Sequence, residues 1–365
     1  MKGKTIKILI LDAALLLLSG ICLFVCKSLS APLLSQRAAE RWQGGSEMGF
    51  AQISCFMNES GKKSVEEIYE FRQTLDSKLT EASIDADNAA QLYRDAWSGF
   101  GKITVFGEHG KGDASVTAIG GDYFFFHPMT LVSGGYLSES DLMEDRVVLD
   151  RELAWLLYGG YDLAGLTVTI NEKPYVIAGV VEREDDFASR DTYTGGAGVF
   201  MSYRAYSELA DCGIGCYEIV LPQPVEGFAE NLMSESFRIG GGEIVNNSGR
   251  YSLSSLYKVL KSFGTRSMHT NSVIYPYWEN AARCIEDWGS LCLAFAIAFA
   301  VFPAVSVFVL AMIWLIRGKN FLSARIPAIV SGKIDKGRSR HYYRGTHEKR
   351  SAGAPEQKKE EAFPE

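Results

Sequence analysis

Two short groups of residues have side chains whose type and spacing could do chemistry. Cys212 and Cys216 are separated by Gly-Ile-Gly and could close a small disulfide loop in an oxidising compartment. Free thiols are the other interpretation, and zinc is disfavoured because a tetrahedral site needs four ligands and no second cysteine pair stands nearby. The run EREDD at residues 182–186 could bind calcium, but a solvated loop is the favoured interpretation.

Motifs of enzymes are missing from the sequence. It contains no GxxxxGK[ST] phosphate-binding loop, no HExxH and no GxSxG, so nucleotide hydrolysis, zinc proteolysis and serine hydrolysis have no candidate residues. None of the histidines is paired at ligand spacing; they are His109, His127, His269, His341 and His347. We therefore predict a protein that is not an enzyme, with no catalytic residue, no cofactor and no metal ligand.

Two long apolar segments, one near each end of the chain, would fix the position of everything between them. The first covers residues 8–26 and the second residues 289–316. Each is long enough, at about 20 residues, to cross a bilayer core of roughly 30 Å as a helix. A cleaved signal peptide is the weaker interpretation of the first segment, because it is long and Ala31 is followed by Pro32.

The distribution of charge predicts which side of the membrane each part occupies. Residues 27–316 carry a formal charge of −15, against +2 for residues 1–26 and +6 for residues 317–365, within a total of −7. Positive flanks mark the cytoplasmic side. Both termini are therefore predicted to be cytoplasmic and the central domain extracytoplasmic, in the cell membrane.

The basic tail and one acidic residue carry separate expectations. Residues 317–365 form a basic, partly disordered cytoplasmic tail that would contact anionic membrane lipids or a partner rather than nucleic acid. Asp12 lies within the first apolar segment, where a carboxylate is costly. Its side chain is predicted either to reach the interface or to contact a helix of another subunit.

Between the two segments, hydrophobic periodicity predicts an α+β domain. The first strand–helix–strand pattern comprises strands at residues 50–56, 103–106 and 116–119 and a helix at 65–82, which Ser64 and Glu67 begin with a capping box. The second comprises strands at 217–221 and 243–246 and a helix at 225–237. The two patterns together predict a split α/β unit, residues 46–122 and 198–250, with a β-rich insertion at about 123–197.

The insertion and the flanking segments have their own signals. In the insertion we predict a strand at 145–150, a helix at 151–158 ended by Gly159, and a hairpin of strands 166–170 and 175–181. Beyond it, a strand at 199–202 leads into a helix at 203–210. Residues 28–45 are predicted to be a stalk. Residues 251–288 are predicted to form a second stalk and the outer interface; their aromatic residues are Tyr275, Tyr277, Trp278 and Trp288.

The order of these motifs resembles the periplasmic core domain of MacB-type ABC transporter permeases over residues 45–250. The matching runs are residues 118–124, 131–141, 146–150, 154–159, 163–170 and 175–181. The resemblance implies a two-part external domain whose motion is driven by ATP hydrolysis in a separate cytoplasmic subunit. Such permeases usually have four transmembrane helices, whereas only one follows the domain here. The resemblance is thus to a short form, either an accessory subunit or one completed by a partner permease.

Two functions follow as hypotheses. The first is a non-enzymatic permease-like subunit of an ABC transport or mechanotransmission complex, with an ATP-binding cassette subunit and a second permease subunit as partners. Its substrate would be a peptide or another small molecule. The alternative is a membrane-anchored sensing module, because the acidic extracytoplasmic domain would attract a cationic peptide.

Overall fold

A computed structural model describes residues 2–44, 48–84, 92–138, 144–193, 196–266 and 272–351. The chain divides into two compact units. One consists of residues 19–297, and the other consists of residues 1–18 together with residues 298–365.

Helices and strands alternate through the described residues. The helices are α1 Lys2–Ser30, α2 Ala38–Gln43, α3 Val65–Glu81, α4 Tyr123–Phe126, α5 Arg151–Tyr158, α6 Ser189–Thr192, α7 Tyr203–Ser207, α8 Phe228–Ser236, α9 Leu253–Ser262 and α10 Tyr277–Ser351, with 3₁₀ turns at Leu34–Gln36 and Glu59–Gly61. The strands are β1 Phe50–Phe56, β2 Arg94–Gly107, β3 Gly110–Gly121, β4 Thr130–Gly134, β5 Arg146–Asp150, β6 Thr167–Ile170, β7 Lys173–Glu182, β8 Gly198–Ser202, β9 Cys216–Pro222 and β10 Glu243–Asn246.

All of these strands belong to one mixed sheet. Its order is β10-β1-β9-β2-β3-β8-β5-β7-β4, and β6 pairs with both β2 and β7. β9 lies between β1 and β2, so strands from before residue 123 and after residue 198 are interleaved. Strands β4 to β7, from the predicted insertion, continue the same sheet through β8, which runs parallel to β3 and antiparallel to β5.

The central hairpin is longer than the sequence predicts. Strands were expected at residues 103–106 and 116–119 with a glycine-rich turn between them, but β2 and β3 pair from Ala96 opposite Gly121 to Gly107 opposite Gly110. Gly107 and Gly112 are strand residues covered by α5. A Cβ on Gly107 would lie 2.7 Å from Leu157, and one on Gly112 would lie 2.6 Å from Leu156. These glycines allow close packing of the helix rather than a turn.

Local signals predicted other elements well. β1, α5 and β10 have the predicted bounds, and α3 begins with the predicted capping box between Ser64 and Glu67. The β6–β7 hairpin turns at Asn171 and Glu172, both at positive φ, as a two-residue turn requires. Lys173 and Pro174, which were expected in that turn, belong to β7.

The sheet separates two hydrophobic clusters. Successive side chains on a strand point to opposite faces, and in β9 Tyr217, Ile219 and Leu221 enter one cluster whereas Cys216 and Val220 enter the other. The first cluster is closed by α3, α5 and α8. The second is closed by α2, α4 and the beginning of α10. The segments that lead to and from the apolar helices therefore pack on one face of the sheet.

Within the part of the chain that the structure describes, two helices are long and apolar enough to cross a membrane, α1 over Thr5–Ser30 and α10 over Tyr277–Arg317. The predicted helical stalk after α1 is interrupted at residues 31–33, where Pro32 stands, and continues as a 3₁₀ turn and α2. The second predicted stalk is divided between α9 and the first turns of α10. α10 also continues past residue 316 to Ser351, so that part of the tail is helical; residues 352–365 lie outside the described residues.

Polar side chains connect the two apolar helices within each unit. In the unit of residues 19–297, the Ser19 hydroxyl donates to the Ala296 carbonyl at 2.9 Å. In the other unit, Ser306 donates to one oxygen of Asp12 at 2.7 Å. Asp12 therefore has a partner in its own chain, which neither of the two expectations for this residue had included.

Candidate functional site

The outer end of α10 meets several other segments of the chain. We call residues 277–288, together with the side chains that contact them, the α10 junction. Its charged residues face β10, the segment after β10 and the segment that follows α1, whereas its aromatic residues face residues 123–197, the predicted insertion. The junction is therefore the place where a membrane helix, the sheet and the insertion are joined.

A buried carboxylate is the centre of the charged side. Glu279 is fully buried and receives two hydrogen bonds from Arg250, at 2.7 and 2.8 Å, and one from Arg283 at 2.7 Å. Arg250 also donates to Glu286 at 2.6 Å, and Arg283 donates to Glu243 of β10 at 2.7 Å. Charged hydrogen bonds of this kind are directional and strong, and so they fix the helix to the sheet edge.

The pairing keeps Arg250 charged in spite of its burial. Burial opposes the charged form, but Glu279 and Glu286 outweigh it, and the pKa of the guanidinium is raised well above its ordinary value. A buried pair of this kind gains little over a well-packed apolar pair, yet removal of one partner leaves a charge that is neither solvated nor neutralised. The contacts therefore select one arrangement of α10, while their net contribution to stability is small.

The same arginine reaches the stalk that follows α1. Arg250 donates to the Gln36 side chain at 3.0 Å. Gln52 of β1 donates to the Ser35 carbonyl at 2.6 Å and accepts from the Ala38 backbone N–H at 2.8 Å. The segment after α1 is thus bonded to the sheet and to α10.

Aromatic rings form the other side of the junction. The ring centroid of Trp278 lies 4.1 Å from that of His127, which is fully buried just after α4. Tyr277 stacks on Tyr193 at 4.0 Å, and its hydroxyl donates to Glu184 at 3.0 Å. Because His127, Glu184 and Tyr193 belong to residues 123–197, this face of α10 is attached to the insertion.

A chain of hydrogen bonds joins the two sides through the sheet. His127 Nε2 bonds one oxygen of Glu218 in β9, and Ser54 of β1 donates to the other oxygen at 3.0 Å. Asn247 donates to the Ser54 hydroxyl at 2.8 Å and accepts from Arg250 at 3.2 Å. Every hydrogen bond along this path therefore pairs one donor with one acceptor.

These contacts close a circuit that starts and ends at neighbouring residues of α10. Its members, in order, are Trp278, His127, Glu218, Ser54, Asn247, Arg250 and Glu279. All of them are at least nine-tenths buried. A displacement of the first turns of α10 must therefore act on residues 123–197 and on strands β1 and β9.

The predicted cysteine pair lies away from this junction. Cys212 packs against the sheet face that carries α3, whereas Cys216 is buried on the opposite face. Burial raises the pKa of both thiols, and both are free. The structure therefore does not bring the two sulfurs together, and the disulfide stays a prediction that mass spectrometry of the unreduced protein would check.

The acidic run at residues 182–186 is engaged in contacts within the protein. Glu182 pairs with Arg151 at 2.6 Å and Asp185 with Arg190 at 2.8 Å. Glu184 accepts from Tyr277, and Asp186 accepts from two backbone N–H groups at the start of α6. Glu184 thus holds the insertion to α10 rather than lying in a solvated loop.

Two features of the sequence are signals of the junction. Glu279, Arg283 and Glu286 recur at helical spacing directly before an apolar span, which would place them on adjacent positions of one helix. In β1, polar Gln52 and Ser54 alternate with apolar residues, a pattern typical of a face exposed to water. Here that face is buried, because α2 and α10 cover it.

Comparisons with known proteins concern the central domain. Residues 56–221 match the family described as the MacB-like periplasmic core domain. No curated protein matches the chain. Residues 56–221 are therefore a MacB-like periplasmic core domain, and the resemblance predicted from the motifs is confirmed.

Solved structures of low identity are also similar. The periplasmic region of MacB from Actinobacillus actinomycetemcomitans is 15% identical, with a TM-score of 0.38, over 59% of this chain and 94% of that one. The extracellular domain of the noncanonic ABC-type transporter YknZ from Gram-positive bacteria is 11% identical, with a TM-score of 0.37, over 54% of this chain and 100% of that one. The family match at residues 56–221, together with the apolar helices α1 and α10, indicates a membrane protein with an extracytoplasmic domain.

Proposed function

We propose that this protein is a non-enzymatic permease-like subunit of an ABC transport or mechanotransmission complex. Movement of α10 would be passed to the extracytoplasmic sheet through the α10 junction. The observation that carries the proposal is the closed circuit of buried contacts from Trp278 around to Glu279. A membrane helix that serves only as an anchor has no need of buried charges that bond it to three other segments.

The arrangement suits the transmission of force in both parts of the domain. The insertion is attached to α10 through Trp278 and Tyr277, and the sheet is attached through Glu279 and Arg283. In this proposal the domain is a split α/β unit whose insertion, residues 123–197, follows the same helix. Both parts would therefore move when the helix moves.

The partners and the topology belong to the same proposal. α1 and α10 would cross the membrane with both termini in the cytoplasm, as the positive flanks favour. An ATP-binding cassette subunit would supply the energy, since the sequence has no phosphate-binding loop of its own. A second permease subunit would complete the membrane part.

Hydrogen exchange on the assembled complex tests the proposal. The protein is purified from its host in mild detergent, and the companions are identified by mass spectrometry. ATP with vanadate should then change amide exchange in β1, β9 and β10 of the wild type, and the change should be lost in Glu279→Gln. Glu208→Gln is the matched control, because Glu208 is an exposed residue whose pairing with Lys173 lies away from the junction. A protein that purifies without an ATP-binding companion would contradict the proposal.

One observation favours the alternative of a cationic-peptide sensor. A cavity of about 670 Å³ lies beside the start of α3 and is lined in part by Glu66, Tyr69, Trp97 and Glu144, although two arginines line it as well. Aromatic rings and carboxylates can hold a cationic side chain. Titration of the full chain with a lysine-rich peptide at low and high salt separates this function from the first. Binding that weakens with salt and is lost in Glu66→Gln would support it, and no binding would exclude it.

A further inference from the structure

Three cysteines lie together near the outer ends of α1 and α10. Cys26 is buried, Cys22 and Cys292 are half-buried, and all three are free thiols. Cys26 belongs to a small apolar cluster with Leu256 and Leu293, and Cys292 packs against that cluster.

Hydrogen bonds on either side of Cys22 and Cys292 fix the register of the two helices. The Ser19 hydroxyl donates to the Ala296 carbonyl at 2.9 Å, and the Cys26 thiol donates to the Gly289 carbonyl at 3.7 Å. Seven residues separate the two contacts along each helix, in opposite directions, which is the repeat of a helix–helix seam. The position midway between them brings Cys22 opposite Cys292.

Small residues allow the helices to approach each other closely at this level. A Cβ placed on Gly289 would lie 3.1 Å from Leu256 and 3.5 Å from the sulfur of Cys26. Small residues at a helix interface bring the two backbones near each other. A disulfide needs Cα atoms about 4.4–6.8 Å apart, a separation that requires such an approach.

We propose that Cys22 and Cys292 form a disulfide that locks α1 to α10. The two thiols are oxidised to the disulfide, and the disulfide of an exported thiol oxidoreductase is reduced to two thiols, so that electrons and hydrogens balance. The bridge would prevent the two helices from sliding past each other. The proposal deepens the proposed function by naming a regulation of helix motion, and it depends on the proposed topology only for the supply of oxidant.

Oxidation of the purified full-length protein in detergent tests the bridge directly. The protein is treated with diamide, remaining thiols are alkylated, and the digest is read by mass spectrometry. The expected result is a peptide containing Cys22 joined to one containing Cys292, and it should disappear on reduction. The bridge should be abolished in Cys292→Ala and kept in Cys284→Ala, the matched control, because Cys284 packs in a different cluster.

Several results would overturn the inference. Full alkylation of Cys292 after diamide treatment would show that the thiol has no partner within reach. A bridge from Cys292 only to Cys26 would contradict the register. Circular dichroism of Cys292→Ala guards against loss of the bridge through misfolding. Because diamide supplies the oxidant, a bridge that forms in a protein without an ATP-binding companion would support this inference while the proposed function fails.

Discussion

The first turns of α10 are built differently from the apolar part that follows them. Residues 277–287 carry four acidic or basic side chains that are paired within the protein, namely Glu279, Arg283, Glu286 and Asp287. The apolar residues from 289 to 316 carry no charge, and most of their large side chains are exposed in the chain on its own. The comparison indicates that one helix combines a fixed joint, the α10 junction, with an apolar surface that other apolar groups can cover.

The largest effect should come from the centre of the joint. Glu279→Ala leaves Arg250 and Arg283 buried without their shared carboxylate, and we expect a loss of about 3–5 kcal/mol in the free energy of unfolding. Chemical unfolding of the full chain in detergent measures it. Glu208→Ala is the control: its carboxylate is exposed and pairs with exposed Lys173 at 3.2 Å, so about 1 kcal/mol or less is expected. Equal effects for the two variants would remove the distinction between joint and surface.

The aromatic side of the joint should give an effect of about 3 kcal/mol. Trp278→Ala opens a cavity against His127 and Tyr123, because the indole is only 2% exposed. Trp155→Ala is the matched control, since that indole is 57% exposed. The same unfolding measurement compares them. A loss below about 1 kcal/mol for Trp278→Ala would mean that the insertion is only loosely attached to α10.

A smaller effect is expected from the hydrogen bond between Ser306 of α10 and Asp12 of α1. Ser306→Ala removes the hydroxyl that donates to Asp12 at 2.7 Å. Hydrogen bonds between membrane helices contribute about 0.6 kcal/mol on average, and a loss of this size is expected in a steric-trap unfolding experiment in bicelles. Asp12→Asn, which keeps an acceptor, should cost less than Asp12→Leu. A loss of several kcal/mol for Ser306→Ala would place a second fixed joint within the membrane helices.

Local patterns predicted the elements better than they predicted the joint. The bounds of β1, α5 and β10, and the cap at Ser64, follow from periodicity, glycine and capping signals that lie within a few residues of one another. The extent of the central hairpin was wrong because a glycine in a strand and a glycine in a turn look alike in the sequence. Only the packing of α5 against Gly107 and Gly112 distinguishes them.

The joint could not be predicted because its members come from distant parts of the chain. His127, Glu218 and Arg250 belong to three separate segments, and their partners are decided by the order of strands in the sheet. A charged residue in a sequence is ordinarily expected at the surface. The position of Glu279 near a membrane span was visible, but its complete burial depends on side chains that only the fold brings near.

A double-mutant cycle between His127 and Arg250 tests most directly whether the joint acts as one unit. The two residues are connected through Glu218, Ser54 and Asn247. His127→Gln, Arg250→Met and the double variant are unfolded in the same detergent, and the free energies are compared. We predict that the two effects differ from additivity by more than about 0.5 kcal/mol. Additivity within about 0.3 kcal/mol would show that the two sides of α10 are held independently and would contradict the account.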